Sequence, residues 1–188
     1  MKNLTIVLAF LMTFSLPVMA QDFQKGLAAY NAGDYATALK EWMPLADAGD
    51  ETAQYVLGIM YDNGRGVPQD YAEAVKWYRL AAEQEYALAQ KNLGHLYYTG
   101  EGVPQDYAEA VKWYRLAAEQ GDALAQYVLG AMYVSGSGVL QDNVMAHMWY
   151  NIGAANGSEI GRTSRDELTG LMRQADISKA QAMARECM

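Results

Sequence analysis

The amino-acid sequence predicts an all-α protein, a solenoid of about four stacked helix pairs closed by a C-terminal helical cap. Three observations predict it. The string GVPQDYAEAVKWYRLAAEQ occurs twice without a difference, from Gly66 to Gln84 and from Gly102 to Gln120. A shift of 36 residues superposes Ala53, Ala89 and Ala125, then Leu57, Leu93 and Leu129, then Gly58, Gly94 and Gly130, then Tyr61, Tyr97 and Tyr133. A fixed period of this size marks stacked supersecondary units. Within each period the apolar residues recur at helical spacing, on stripes too narrow for a helix that stands alone.

The first twenty residues form a separate element. Lys2 is their only charge, an apolar run extends from Leu4 to Phe14, and Val18-Met19-Ala20 supplies small residues at a cleavage position. The pattern predicts a secretory leader cleaved between Ala20 and Gln21. The run falls short of the roughly 20 residues needed to span a bilayer. No Cys follows the cleavage site to take a lipid, so a product exported to the periplasm or beyond is expected.

Positions 21–52 read as a short N-terminal unit, in which Ala32-Gly33-Asp34 replaces a longer link and Trp42 stands in the second helix. Pro44 falls in that helix, where a missing amide predicts a kink. Positions 53–88, 89–124 and 125–160 are the full units. In the first, Ala53, Leu57, Met60 and Tyr61 share one helical face and Gly64 ends the helix. Pro68 holds the link extended. Asp70 is positioned to cap the second helix, with Glu73 completing a capping box as Glu109 does after Asp106. Ala74, Trp77, Tyr78 and Ala81 form the buried stripe of that second helix.

Two details depart from a plain stack. Gly58, Gly94 and Gly130 sit inside helices, where glycine costs about 1 kcal/mol relative to alanine, so a close helix approach is expected there. Gly49-Asp50 and Gly121-Asp122 separate helix pairs, yet Glu85-Tyr86 takes that place between the identical copies. Either Glu85 is strained or the helix ends differently. In the cap, 161–188, Leu168, Leu171 and Met172 predict an amphipathic helix and Asp176 the start of a last one reaching about Arg185.

Leu57-Gly58-x-x-Tyr61 followed by Ala74-x-x-x-Tyr78 looks like a tetratricopeptide helix pair. The longer link GRGVPQD, the 36-residue period, Trp77 and Ala81-Ala82 make the chain resemble the Sel-one-like repeat family of αα-solenoids. That resemblance implies a right-handed superhelix whose first helices line a concave face that binds other proteins. The outward stripes of those helices hold Tyr55, Ile59 and Asp62, then Lys91, His95 and Tyr98, then Tyr127, Ala131 and Val134. They differ from unit to unit while the interior repeats. Mixed aromatic, charged and apolar residues of this kind suit a protein-binding groove; the alternative is drift on a face that meets only water.

Composition narrows the remaining classes. Losing the leader removes Lys2 and leaves 13 basic against 22 acidic residues, a balance of −9, which opposes binding to nucleic acid or anionic lipid. Cys187 is the single cysteine, so the expected product is a monomer with an intermolecular disulfide as the one covalent route to a dimer. His95 and His147 lie in different units, and His147 replaces the valine of Val75 and Val111, which favours packing over ligation. No His-x-x-x-His, Cys-x-x-Cys or phosphate-binding glycine loop occurs, and no catalytic residue, metal or cofactor is assigned. The expected function is therefore that of a non-catalytic exported adaptor for a protein or peptide. The alternative is an envelope enzyme or binding protein for peptidoglycan or β-lactam-type ligands. A cysteine-rich branch of the family is linked with penicillin binding and hydrolysis, but this chain lacks the cysteine pairs that tie its helices.

Overall fold

The computed structural model describes residues 16–187, with side chains described from 23 to 186. The leader up to position 15 lies outside the described residues, whereas the backbone of Ala20 and Gln21 falls within the first helix. Ten helices and no strands make up the described residues: α1 (Leu16–Asn31), α2 (Tyr35–Asp47), α3 (Glu51–Asn63), α4 (Tyr71–Glu83), α5 (Ala87–Thr99), α6 (Tyr107–Glu119), α7 (Ala123–Ser135), α8 (Asn143–Ala155), α9 (Glu159–Thr169) and α10 (Gln174–Cys187). Helices α1 to α9 pack mainly on their neighbours in the chain, most extensively within the pairs α3/α4, α5/α6 and α7/α8. The last helix, α10, folds back onto α8.

The caps follow from the repeated Asp and Gly residues. Asp70, Asp106 and Asp142 each accept two backbone N–H groups at the start of α4, α6 and α8. Gly64, Gly100 and Gly136 end the first helices in the left-handed conformation that side chains disfavour. The expected capping box forms only in half. The Asp70 N–H already donates to the Tyr61 carbonyl at 2.9 Å, so the Glu73 side chain turns outward to Lys76. The same exchange occurs at Asp106, Tyr97, Glu109 and Lys112.

Three apolar cores run through the stack, the last spanning α6, α7, α8 and the two C-terminal helices. Trp42, Leu45, Leu57 and Met60 pack between α2 and α3; Tyr78, Ala81, Leu93 and Leu96 pack between α4 and α5. Trp77 and Trp113 are only half-buried because each reaches back to the core of the preceding junction. A buried polar ladder accompanies these cores. Gln90 donates to the Ala82 carbonyl at 3.1 Å and accepts from Gln120 at 2.8 Å, and Gln54 with Gln84 and Gln126 with Asn156 repeat the arrangement. Each such glutamine ties three helices together while leaving no buried amide unpaired.

Other expectations meet local geometry. Helix α2 runs through Pro44 to Asp47. Glu85 adopts φ +65°, a value shared elsewhere only by glycines among the described residues, so it is the strained residue. Tyr86 then starts α5 without a side-chain cap. At the C-terminus Leu168 is buried but Leu171 is 83% exposed, because α9 stops at Thr169. Helix α10 begins at Gln174, so Asp176 lies in its first turn and pairs with Arg173. Ile177, Ala180 and Ala184 are its buried stripe.

His147 is buried like Val75 and Val111, as a packing residue would be. Its Nε2 lies 3.0 Å from the Thr169 hydroxyl, and that hydroxyl donates to the Arg165 carbonyl at 2.7 Å. Thr169 must therefore accept from the ring, which makes Nε2 the protonated nitrogen and leaves Nδ1 buried without a partner. Burial, followed by the nearby Arg165, holds the imidazole below its ordinary value.

Candidate protein-binding face

The outward stripes occupy matching places on α3, α5 and α7 because 36 residues separate them and each first helix spans 13 residues. Two of the nine residues, Tyr55 and Asp62, join through Tyr78 into one patch, with Lys91 on the next first helix. The Tyr78 hydroxyl, on α4, donates to Asp62 at 3.0 Å. The Tyr55 ring lies 5.9 Å from the Tyr78 ring and 5.0 Å from that of Tyr86. The Asn92 amide sits beside the hydroxyls of both Tyr55 and Tyr78. Lys91 reaches Asp122 at 3.2 Å, tying α5 to the N-terminal cap of α7.

Electrostatics mark Asp62 within this patch. Burial raises its carboxyl above the ordinary range and the negative Glu101 adds to the rise, against the Tyr78 hydrogen bond and His95, which lower it. Tyr55 is likewise pushed up by burial and then by Tyr86. His95 is exposed, and Tyr98 is 38% exposed with its ring 5.2 Å from Tyr107 at 61°.

The remaining residues turn further inward. Ile59 packs against the α4/α5 core, and Ala131 and Val134 against the core around α7 and α8. Tyr127 stacks on Tyr150 at 5.8 Å. The third unit thus offers a more apolar end to the face.

Three contributors fall outside the stripe pattern: Tyr86, Asn92 and Glu101. Their signal lay in the comparison of units, since Tyr86 stands where Asp50 and Asp122 stand and Glu101 where Arg65 and Ser137 stand. Helical spacing could not place them on the face, because two of them lie in turns. Among the described residues no group of three or more His, Cys, Asp or Glu side chains is arranged to hold a metal ion. No described helix is long and apolar enough to cross a membrane.

The Sel1 repeat profile matches residues 52–86, 87–122 and 123–158. No curated protein matches the chain significantly. Among solved structures, a protective antigen of uropathogenic Escherichia coli displaying an SLR fold is 41% identical with a TM-score of 0.70, over 78% of this chain and 34% of the antigen. The chain thus spans about a third of that protein's length. A Sel1 repeat protein from Oxalobacter formigenes is 30% identical with a TM-score of 0.76, over 88% of this chain and 75% of its own. The cysteine-rich protein B of Helicobacter pylori, 18% identical with a TM-score of 0.55 over 73% of this chain and 96% of its own, shares the fold. The helical solenoid with its in-phase Gly, Tyr and Asp columns is a fold that suggests an interaction scaffold, and the chain belongs to the Sel1 repeat family.

Proposed function

We propose that the chain is an exported, non-catalytic adaptor that grips a protein or peptide segment on the face formed by α3, α5 and α7, the concave side of the superhelix. The observation that carries this reading is the contrast between a repeated interior and the unlike side chains of the first-helix stripes, where Tyr55 and Asp62 meet at Tyr78 and His95 and Tyr98 are exposed. A repeat scaffold needs the interior columns to stack. It does not need aromatic rings at half-exposed positions, and such rings give contact area at low entropic cost. The leader-like sequence and the antigenic relative support export, to the periplasm or outside the cell. We take the chain as a monomer, with Cys187 at the end of α10 as the one covalent route to a dimer.

A pull-down from envelope extract with the mature chain, Tyr98→Ala and His95→Ala tests the reading. A protein retained by the parent and lost by both variants, with unchanged melting temperatures, is the expected outcome. Retention on purified peptidoglycan, without a protein partner, would instead favour an envelope enzyme or carbohydrate-binding role.

A further inference from the structure

Helix α10 folds back onto α8 but makes no extensive contact with α6, and a cleft of about 710 Å³ is left between the three helices. Sites for small ligands typically measure about 300–1,000 Å³. Met145, Met148, Trp149 and Ile152 line the cleft from α8, at i, i+3, i+4 and i+7 on one stripe, and Met183 lines it from α10.

Comparison of the repeats shows that this floor is particular to the last pair. The places of Met145 and Met148 hold Glu109 and Lys112 in one preceding unit and Glu73 and Lys76 in the other, an ion pair on the surface each time. The place of Ile152, which is 4% exposed, holds Leu116 and Leu80, 43% and 44% exposed. Packing of α10 on α8 accounts for the burial of Met148 and Ile152, yet it leaves the cleft beside them unfilled. Unbranched Met side chains adapt to an apolar guest and make favourable contacts with aromatic rings.

The rim carries two charges without an ionic partner. Arg115 and Glu119 line the cleft from α6, one helical turn apart. With Arg preceding Glu they stand in the weaker order for such a pair, and neither joins an ion pair among the described residues. Arg115 donates to the Tyr133 hydroxyl at 2.9 Å, which leaves most of its five donors unused within the chain. A plain carboxylate would gain at Arg115 and be repelled at Glu119, and a plain amine the reverse. A zwitterion satisfies both while its apolar body covers the Met and Trp floor.

We propose that this cleft binds a small apolar zwitterion, a short peptide or free amino acid with aliphatic or aromatic side chains, whose carboxylate pairs with Arg115 and whose ammonium pairs with Glu119. The volume favours a dipeptide over a single amino acid. None of the nine first-helix stripe residues lines the cleft, so the inference is independent of the adaptor reading.

Isothermal titration calorimetry on the mature chain tests it, with dipeptides drawn from Leu, Met, Phe and Trp, the same dipeptides N-acetylated or C-terminally amidated, and the free amino acids. The variants are Arg115→Gln and Glu119→Gln, with Arg79→Gln and Glu83→Gln as matched changes in the preceding copy. Arg79 donates to the Tyr97 hydroxyl as Arg115 does to Tyr133, so the matched variant corrects for loss of that bond. Melting temperatures confirm that all four fold. The expected result is a dipeptide bound about tenfold more weakly when either terminus is blocked and in either Arg115→Gln or Glu119→Gln, and equally well in the matched pair. A free amino acid bound as tightly as any dipeptide, with the same dependence, would support the site and assign the single residue to it. Blocked dipeptides bound as well as free ones, equal weakening by the matched variants, or no binding of any zwitterion at millimolar concentration would each overturn the inference.

Discussion

A Cβ placed on Gly58 of α3 would stand 2.4 Å from the Tyr78 ring of α4, a separation that side chains do not tolerate. The missing side chain lets the ring lie flat on the helix, and the Tyr78 hydroxyl then reaches Asp62 on the candidate face. Packing and site are therefore coupled through one glycine.

The first prediction follows from that contact. Gly58→Ala gains up to about 1 kcal/mol of helix propensity but overpacks a closed site, where costs run about 1–3 kcal/mol; a net loss of about 1–2 kcal/mol is expected. At Gly94 the nearest ring atom would be 3.2 Å away, so Gly94→Ala should be milder while Gly94→Leu remains strongly destabilising. Urea titration of the three variants checks the order; a Gly58→Ala midpoint at or above that of the parent contradicts it.

Glu85 should respond in the opposite direction. Its φ of +65° is the conformation that Gly49, Gly121 and Gly157 adopt freely at the equivalent turns. Glu85→Gly is expected to stabilise by about 1 kcal/mol, the typical cost of the left-handed region for a residue with a Cβ. The side chain is exposed, so no packing is lost. A melting temperature that falls would show that Glu85 makes a compensating contact.

Removing one glutamine of the buried ladder should be costly despite its small size. Gln90→Leu removes two hydrogen bonds, but the Ala82 carbonyl keeps the Glu85 N–H and the exposed Gln120 can turn to water, so the expected loss is about 1 kcal/mol per bond removed. Hydrogen exchange should report the loss first at the junction between α4, α5 and α6. Unchanged protection there would mean that solvent replaces the missing bonds.

The His147 imidazole predicts a pH dependence with a definite sign. Its folded pKa lies below the ordinary imidazole value of 6.5, so as pH falls through that value the unfolded chain takes up a proton that the folded chain refuses. Stability contributed by neutral His147 is complete above pH 6.5 and declines below it until the folded pKa is reached. Measured between pH 7 and 5, the parent should lose more stability than His147→Val, which restores the valine of the other units. Equal slopes would remove the imidazole as the cause.

The stacking of helix pairs was legible in the linear pattern because every unit must present the same interior to its neighbours, and an interior that repeats in space repeats in sequence. Asp70, Gly64 and Leu57 could be assigned from spacing alone, since caps and stripes depend on residues within one or two turns. The irregular junction at Glu85 was visible for the same reason, although spacing left open strain or a different helix end until the structure gave its positive φ. The outcome of competition between partners distant in sequence was not. The Asp70 amide chose the Tyr61 carbonyl over Glu73, Leu171 fell beyond the end of α9, and α10 folded back on α8 rather than continuing the stack. Nor could spacing bring Tyr86, Asn92 and Glu101 beside Tyr55 and Asp62, because they come from other helices and turns. Their meeting depends on the relative placement of whole units, a property of packed surfaces that no single helical period encodes.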